Sequence, residues 1–312
     1  MHPFRHFTTL LACLLCAPVP AMAVQVNEQL ALHGELLADA LAAEVEADTG
    51  FHARRVQAGA TFQAGRDDRL GVTAEQAGDG GAVTVRGFHW QHNLAPTHVL
   101  RAGIQPQPLV DKDERDLWGE RLAAPAFAEY WGLAPAADAG VGVFGQAGGA
   151  VDYHLLVSNG EGYGNPADGK GVALSARVGL FDGPWELGGA VYDEGDHGGV
   201  AGDNPRREIV YFFHHGAGAT LGGQYLRADG GTGFTDAEGY NVQGRLSLGG
   251  EGELFGRYDR VETGATGVRQ SLTVIGFTGH PAPGVTLAPT VTLRDHGPYD
   301  DTTYGIHARF AF

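Results

Sequence analysis

The chain has 312 residues, 50 of them glycine, with 21 Lys or Arg against 37 Asp or Glu and a formal net charge of −16. That balance offers no basic patch for the phosphates of nucleic acid. No stretch reaches 18 consecutive apolar residues, which excludes a membrane-spanning helix.

Residues 1–23 read as a secretory signal. Arg5, with His2 and His6, makes a weakly basic start, Leu10 to Cys16 is the apolar region, and Ala21-Met22-Ala23 is a small-x-small cleavage site. Acylation at Cys13 or Cys16 is the alternative, although neither follows a convincing small-residue pair. Cleavage after Ala23 leaves about 289 residues without cysteine and a charge of about −17, because Arg5 is the only charged side chain removed.

From Gln29 onward the chain divides into sixteen alternating segments: 29–38, 53–65, 68–76, 81–92, 96–106, 137–147, 149–159, 170–181, 184–193, 206–216, 218–228, 238–249, 251–261, 267–278, 283–294 and 302–312. Alternation of apolar and polar residues gives a strand with two unlike faces. In 170–181, Val172, Leu174, Ala176, Val178 and Leu180 oppose Ala173, Ser175, Arg177 and Gly179. Gln29 to Val45 also reads as an amphipathic helix. Short connections such as Arg66-Asp67 and Asp182-Gly183 take turns with longer polar ones. An even number of strands of this length, joined in that way, predicts an all-β fold: a transmembrane up-and-down antiparallel barrel, with tight periplasmic turns and external loops.

The longest connection, 107–136, carries Leu117, Trp118, Leu122, Phe127, Tyr130 and Trp131. It is too apolar for a disordered segment. In a barrel the sheltered place for those side chains is the lumen, so an inward fold that narrows the channel is expected. The last segment alternates to Phe312, with Tyr304, Phe310 and Phe312 on its apolar side, as the closing strand of such a barrel requires.

Four stretches resemble the phosphate-selective porins O and P: Ala53-Arg54-Arg55-Val56, Glu129-Tyr130-Trp131-Gly132-Leu133, Leu156-Val157-Ser158-Asn159-Gly160-Glu161-Gly162, and Gly256-Arg257-Tyr258-Asp259-Arg260-Val261. The resemblance implies a sixteen-stranded porin, a homotrimer, a third long loop at the constriction, and Tyr304, Phe310 and Phe312 as the signal read by the barrel-assembly machinery. Lysine occurs only at Lys112 and Lys170, so phosphate selectivity is not carried over, although anions such as phosphate stay among the candidate solutes.

The faces opposite the apolar residues carry Arg55, Arg101, Arg177, Arg245, Arg257, Arg294 and Arg309, which are expected to line the pore. Inward acids are fewer: Asp152, Glu186, Glu253 and Asp259. Other acids lie in connections, among them Asp193, Glu194, Asp196, Asp203, Asp295, Asp300 and Asp301. Asp111, Lys112, Asp113, Glu114, Arg115 and Asp116 of the long loop are expected at the constriction. Arginines facing loop carboxylates would set a transverse field that filters solutes by charge. These inward arginines have a plainer use, bracing the lumen through ion pairs, and Asp111 to Asp116 could be a solvated surface run.

The fourteen histidines suggest no metal centre. His214 and His215 point to opposite faces of a strand, and no spacing repeats that of a helical ligand pair. No cofactor is expected. Ser158 and Ser175 with His154 are the nearest thing to a nucleophile and base, but a wide channel would leave them solvated. The reading is therefore an outer-membrane diffusion channel for small polar solutes, in contact with outer-membrane lipid and lipopolysaccharide. A barrel enzyme of the lipase or protease type and a non-conducting structural barrel are the alternatives.

Overall fold

The computed structural model describes residues 24–43, 49–78, 80–160, 162–164, 171–195, 205–230, 236–249, 252–264, 267–295 and 300–312. The expected signal segment, Asp196 and Asp203 lie outside them. Sixteen long strands form the wall: β1 (Leu30–Ala43), β2 (Gly50–Gln63), β3 (Asp68–Ala77), β4 (Thr84–Ala95), β5 (His98–Pro106), β6 (Ala137–Ala147), β7 (Val151–Ser158), β8 (Ala173–Asp182), β9 (Trp185–Asp193), β10 (Arg206–His215), β11 (Ala219–Asp229), β12 (Ala237–Ser247), β13 (Gly252–Thr263), β14 (Val268–Ala282), β15 (Val285–Asp295) and β16 (Asp300–Ala311). Each pairs antiparallel with the next, and β16 returns to β1, so the sheet closes and no edge is left open. Val24–Gln25 adds a short extra pairing on β1.

Faces follow from the two-residue period. On β8, Leu174, Val178 and Leu180 are exposed on the outside, while Ala173, Ser175 and Arg177 are buried inside. A wall that turns Leu, Val, Phe and Trp outward is the reverse of a water-soluble core. It suits hydrocarbon, with polar side chains turned to the lumen.

The helical reading of Gln29 to Val45 is overturned: this region is β1, which runs beyond Ala38 to Ala43. Its outward residues Ala38, Ala40 and Ala42 face the same side as Tyr304 and Ile306 of β16. Small residues on that face blur the apolar contrast that marks the other strands.

The seam is stitched at the chain end. Backbone N–H groups of Gly34 and Phe312 each donate to the other's carbonyl, at 3.0 and 3.1 Å. A Cβ on Gly34 would come within 2.5 Å of the Phe312 ring. Deeper in the seam, Asp39, His307 and Thr290 bind in series: His307 Nδ1 is 2.8 Å from Asp39 Oδ1, and its Nε2 is 2.9 Å from Thr290 Oγ1. One neutral imidazole thus links β1, β15 and β16.

Candidate functional site

The 107–136 loop folds into the barrel. Pro108 opens a short helix, α1 (Pro108–Lys112), where its missing N–H costs nothing. A π-helical turn over Asp113–Leu117 follows, and Gly119, with a φ of 72°, makes the turn out of it. A second short helix, α2 (Phe127–Tyr130), begins where Asp113 Oδ2 accepts the Phe127 N–H at 2.8 Å.

The apolar side chains of the loop seal it against one half of the wall. Leu109, Val110, Leu117 and Phe127 are buried with Tyr192, Ile209, Tyr211, Phe213, Leu226 and Val261 of β9 to β13. Trp118 stands edge-on to Phe255, ring centres 5.7 Å apart, and donates to Ala124 O at 2.9 Å. Burial is worth about 1.5–3 kcal/mol for each large apolar side chain, so this packing is the main hold on the loop.

Polar tethers fix its register. Ser175 donates to Gln107 Oε1 at 2.8 Å, Gln243 to Asp113 Oδ1 at 2.8 Å, and Arg245 to Asp116 O at 3.0 Å. Lys112 Nζ lies 3.2 Å from Glu186, itself fully buried. Trp131 Nε1 donates to Asp259 at 3.0 Å. Arg257 closes a two-pronged pair with Asp259 at 2.7 and 2.5 Å, and donates to Pro125 O at 2.6 Å.

Between the loop and the opposite wall a polar cavity of about 720 Å³ remains. Its lining includes Arg55, Arg86, Arg101, Arg115, Arg121, Arg245 and Arg309, with Glu35, Asp111, Glu114, Glu120 and Glu253. The helical repeat of the loop sorts its charged run. Asp111, Glu114 and Arg115, spaced i, i+3 and i+4, face the cavity, whereas Lys112 and Asp113 are turned into the wall contacts described above. Asp116 pairs with Lys112 at 3.1 Å.

The arginines expected at the pore thus divide. Arg55, Arg101, Arg245 and Arg309 line the cavity. Arg177 and Arg257 face inward but are covered, being 3 % and 2 % exposed and paired with Asp152 and Asp259. Arg294 donates to Tyr130 OH at 3.2 Å and lies 3.6 Å from Asp301. Ser158, Ser175 and His154 are buried, not solvated as expected. The loop closes over that part of the wall.

Strand alternation missed two arginines. Register shifts place Arg54 of β2 and Arg86 of β4 as the extra residue of a β-bulge. Alternation from Val56 and from Phe88 would turn both outward; the bulges turn them in. Arg54 Nη2 donates to Leu122 O at 2.7 Å. Arg86 lies 3.1 Å from Glu75 and 3.9 Å from Glu114 across the cavity. From the loop, Arg121 binds Glu129 with two donors at 2.5 and 2.7 Å and Glu114 at 2.8 Å. Glu75 also accepts from Gln57 at 2.6 Å and from Tyr163 OH at 3.2 Å. The charges therefore interleave: the wall carries Glu35 and Glu75 as well as arginines, and the loop carries Arg115 and Arg121 as well as acids.

Burial raises the pKa of the loop carboxyls Asp111, Asp113 and Glu114 against the pull of nearby arginines. Burial, and after it the neighbouring Glu253, push Glu120 up to about 7, while Thr278 (2.7 Å) and Arg245 act the other way. Burial also works against the Arg121 charge, but Glu129 and Glu114 hold its pKa above the usual value.

Among the described residues no group of three or more His, Cys, Asp or Glu side chains is arranged to hold a metal ion.

No protein-family model matches the chain. No curated protein matches it in sequence. Solved structures do match in fold. Outer-membrane expressed OmpT of Vibrio cholerae superposes with a TM-score of 0.66 at 15 % identity, covering 93 % of this chain and 100 % of that one. OmpF of Salmonella typhi, solved with daunomycin, gives 0.67 at 12 % identity over 93 % and 100 % of the two chains. OprB of Pseudomonas putida gives 0.69 at 10 % identity over 91 % and 93 %. The chain is a porin-like sixteen-stranded antiparallel barrel, alike in fold to these outer-membrane proteins along nearly its whole length.

Proposed function

We propose that the chain is an outer-membrane porin, a water-filled channel through which small polar or charged solutes diffuse. The observation that carries this reading is the one-sided seating of the long loop. It packs against β8 to β13 and leaves a cavity walled by guanidinium and carboxylate groups on the side of β1 to β5. A structural barrel would gain nothing from holding paired charges around an opening, whereas charge around a narrow aqueous path is how pores select. In this reading Arg55, Arg101, Arg245 and Arg309, joined by Arg54 and Arg86, face the path. Asp111, Glu114 and Arg115 face it from the loop, and Lys112, Asp113 and Asp116 help fix the loop in place. Arg177, Arg257 and Arg294 brace that loop.

The remaining assignments belong to the same proposal. Residues 1–23 direct export and are removed, the short turns are periplasmic, and the long loops face outward. The terminal strand, with Tyr304, Phe310 and Phe312, is read by the assembly machinery. The barrel contacts outer-membrane lipid and lipopolysaccharide, and three copies associate. In support of a homotrimer, the outward face of β1 to β3 is built of small residues, among them Ala38, Ala40, Ala58, Ala60 and Ala74. One of the similar structures is described as a trimer form of Vibrio cholerae OmpT. The four short motifs shared with porins O and P support a general channel more than a phosphate-specific one. Swelling of proteoliposomes in sugars of graded size tests the function. Rapid uptake of small sugars with a sharp size limit is expected, and no uptake by correctly folded protein would overturn it.

A barrel hydrolase has one observation in its favour, the Thr290–His307–Asp39 series with the spacing of a nucleophile, base and orienting carboxylate. Thr290 is only 6 % exposed, so a substrate carbonyl has no approach to its hydroxyl. Labelling by a fluorophosphonate that is lost in T290A would revive this reading.

A further inference from the structure

Most arginines that reach the cavity are neutralised in place. Arg55, Arg86, Arg121 and Arg245 each lie within 3.5 Å of a carboxylate. Arg69 and Arg101 differ. Among the described residues neither forms an ion pair; instead both donate to one oxygen, Gln91 Oε1, at 3.1 and 3.0 Å. Sharing one acceptor brings their Nη2 atoms to within about 6 Å of each other, a distance at which like charges repel. Gln91 is 8 % exposed and offers no charge to offset them. Arg101 lies over the Phe144 ring, 4.6 Å from its centre, so its plane is fixed, and its Nε has no hydrogen-bond partner. The other charged groups felt by Arg101 are Asp111 and Arg115. Asp111 is already held by Arg115 at 2.9 Å. The local excess is two positive charges.

Both arginines lie toward the short turns, Arg69 at the start of β3 and Arg101 near the start of β5. We propose that Arg69, Gln91 and Arg101 form a binding step for a small oxyanion, a carboxylate or a phosphate, on the short-turn side of the long loop. This deepens the channel reading and rests on it. A guanidinium has a planar fork of donors that matches the two oxygens of such an anion, and one held against an aromatic ring loses little freedom on binding. The anion would supply the negative charge that Gln91 lacks, so it would dwell there after passing the loop.

The test uses the full-length protein and the variant Arg69→Gln with Arg101→Gln. Arg227, exposed on the outside of β11, is changed to Gln as control. Inorganic phosphate and acetate are added in turn to a planar bilayer carrying chloride current, and binding of the same anions to detergent-solubilised protein is followed by ³¹P and ¹³C line broadening. In wild type and R227Q the anions should block chloride current from the short-turn side and broaden in resonance. In the double variant the blocking concentration should rise at least tenfold and the broadening should vanish, while heat-modifiable mobility shows the barrel folded. A stronger effect for one anion names the preferred class. Equal block and broadening in the double variant, or conduction in wild type without either, would overturn the anion step. Broadening without any conduction would instead remove the channel reading and keep the binding site.

Discussion

Arg257 is the residue through which the hold of the wall on the loop can be broken with one substitution. Its guanidinium binds Asp259 twice, at 2.7 and 2.5 Å, caps Pro125 O at 2.6 Å, and stands 5.3 and 5.9 Å from the ring centres of Trp118 and Tyr130. Both members of the pair have side chains with no exposure. R257M keeps the aliphatic length and deletes the charge, so Asp259 is left buried with the Trp131 N–H as its remaining donor. Breaking a buried pair in this way costs about 3–5 kcal/mol. The lost contacts join loop to wall rather than strand to strand, so the cost should fall on docking of the loop. It corresponds to a rise of at least about 10²-fold in the population with the loop released. Single-channel recording should show larger and noisier openings, and protease should nick within 107–136 while the barrel stays heat-modifiable. R257M combined with D259N removes the stranded charge and should recover much of the loss. A protease-resistant R257M with unchanged conductance would refute the tether, and so would a double variant as damaged as the single one.

Three further outcomes follow from the same contacts. The Glu120 pKa is about 7 with the loop docked, against an ordinary value of 4.5. Docking should therefore be strongest below about pH 4.5, weaken as pH rises to 7, and stay weaker above, by on the order of 3 kcal/mol. Hydrogen exchange of residues 116–122 should be slower at pH 5 than at pH 8 relative to intrinsic rates, and E120Q should abolish that difference; equal protection at both pH values in wild type would contradict it. W118A removes a fully buried indole and should cost about 3–5 kcal/mol of loop docking, seen as the same protease nick as R257M. Deleting Phe312, or installing G34V beneath its ring, should lower the yield of assembled barrel without changing the unit conductance of what assembles, as Western blots of outer membranes and bilayer recordings would show.

The strand framework was legible because outward Leu, Val, Phe and Trp alternate with inward polar residues along each strand, and because tight and long connections take turns. Faces near Arg54 and Arg86 were not legible. A single extra residue reverses the alternation, and nothing in Ala53-Arg54-Arg55-Val56 or Val85-Arg86-Gly87 says which arginine the bulge will carry. The charged run Asp111 to Asp116 was read as one inward group. A helix instead presents Asp111, Glu114 and Arg115 to the cavity and turns Lys112 and Asp113 away, a three-dimensional sorting that needs the π-helical turn to be known. Alternation also gives the face of a residue but not what covers it. Arg177 and Arg257 point inward as Arg101 does, yet the aromatic loop seals them and leaves Arg101 open. Arg69 and Gln91 drew no notice because their meaning comes from pairing across β3, β4 and β5, which no local pattern encodes.

The central claim is that the inward loop narrows the barrel without closing it. Reconstitution of the purified, heat-modifiable barrel into a planar bilayer tests this directly. Discrete current steps of uniform size are predicted for wild type, with larger steps after excision of 111–116. A silent membrane with folded wild-type protein, opened only by that excision, would contradict the claim and make the loop a plug.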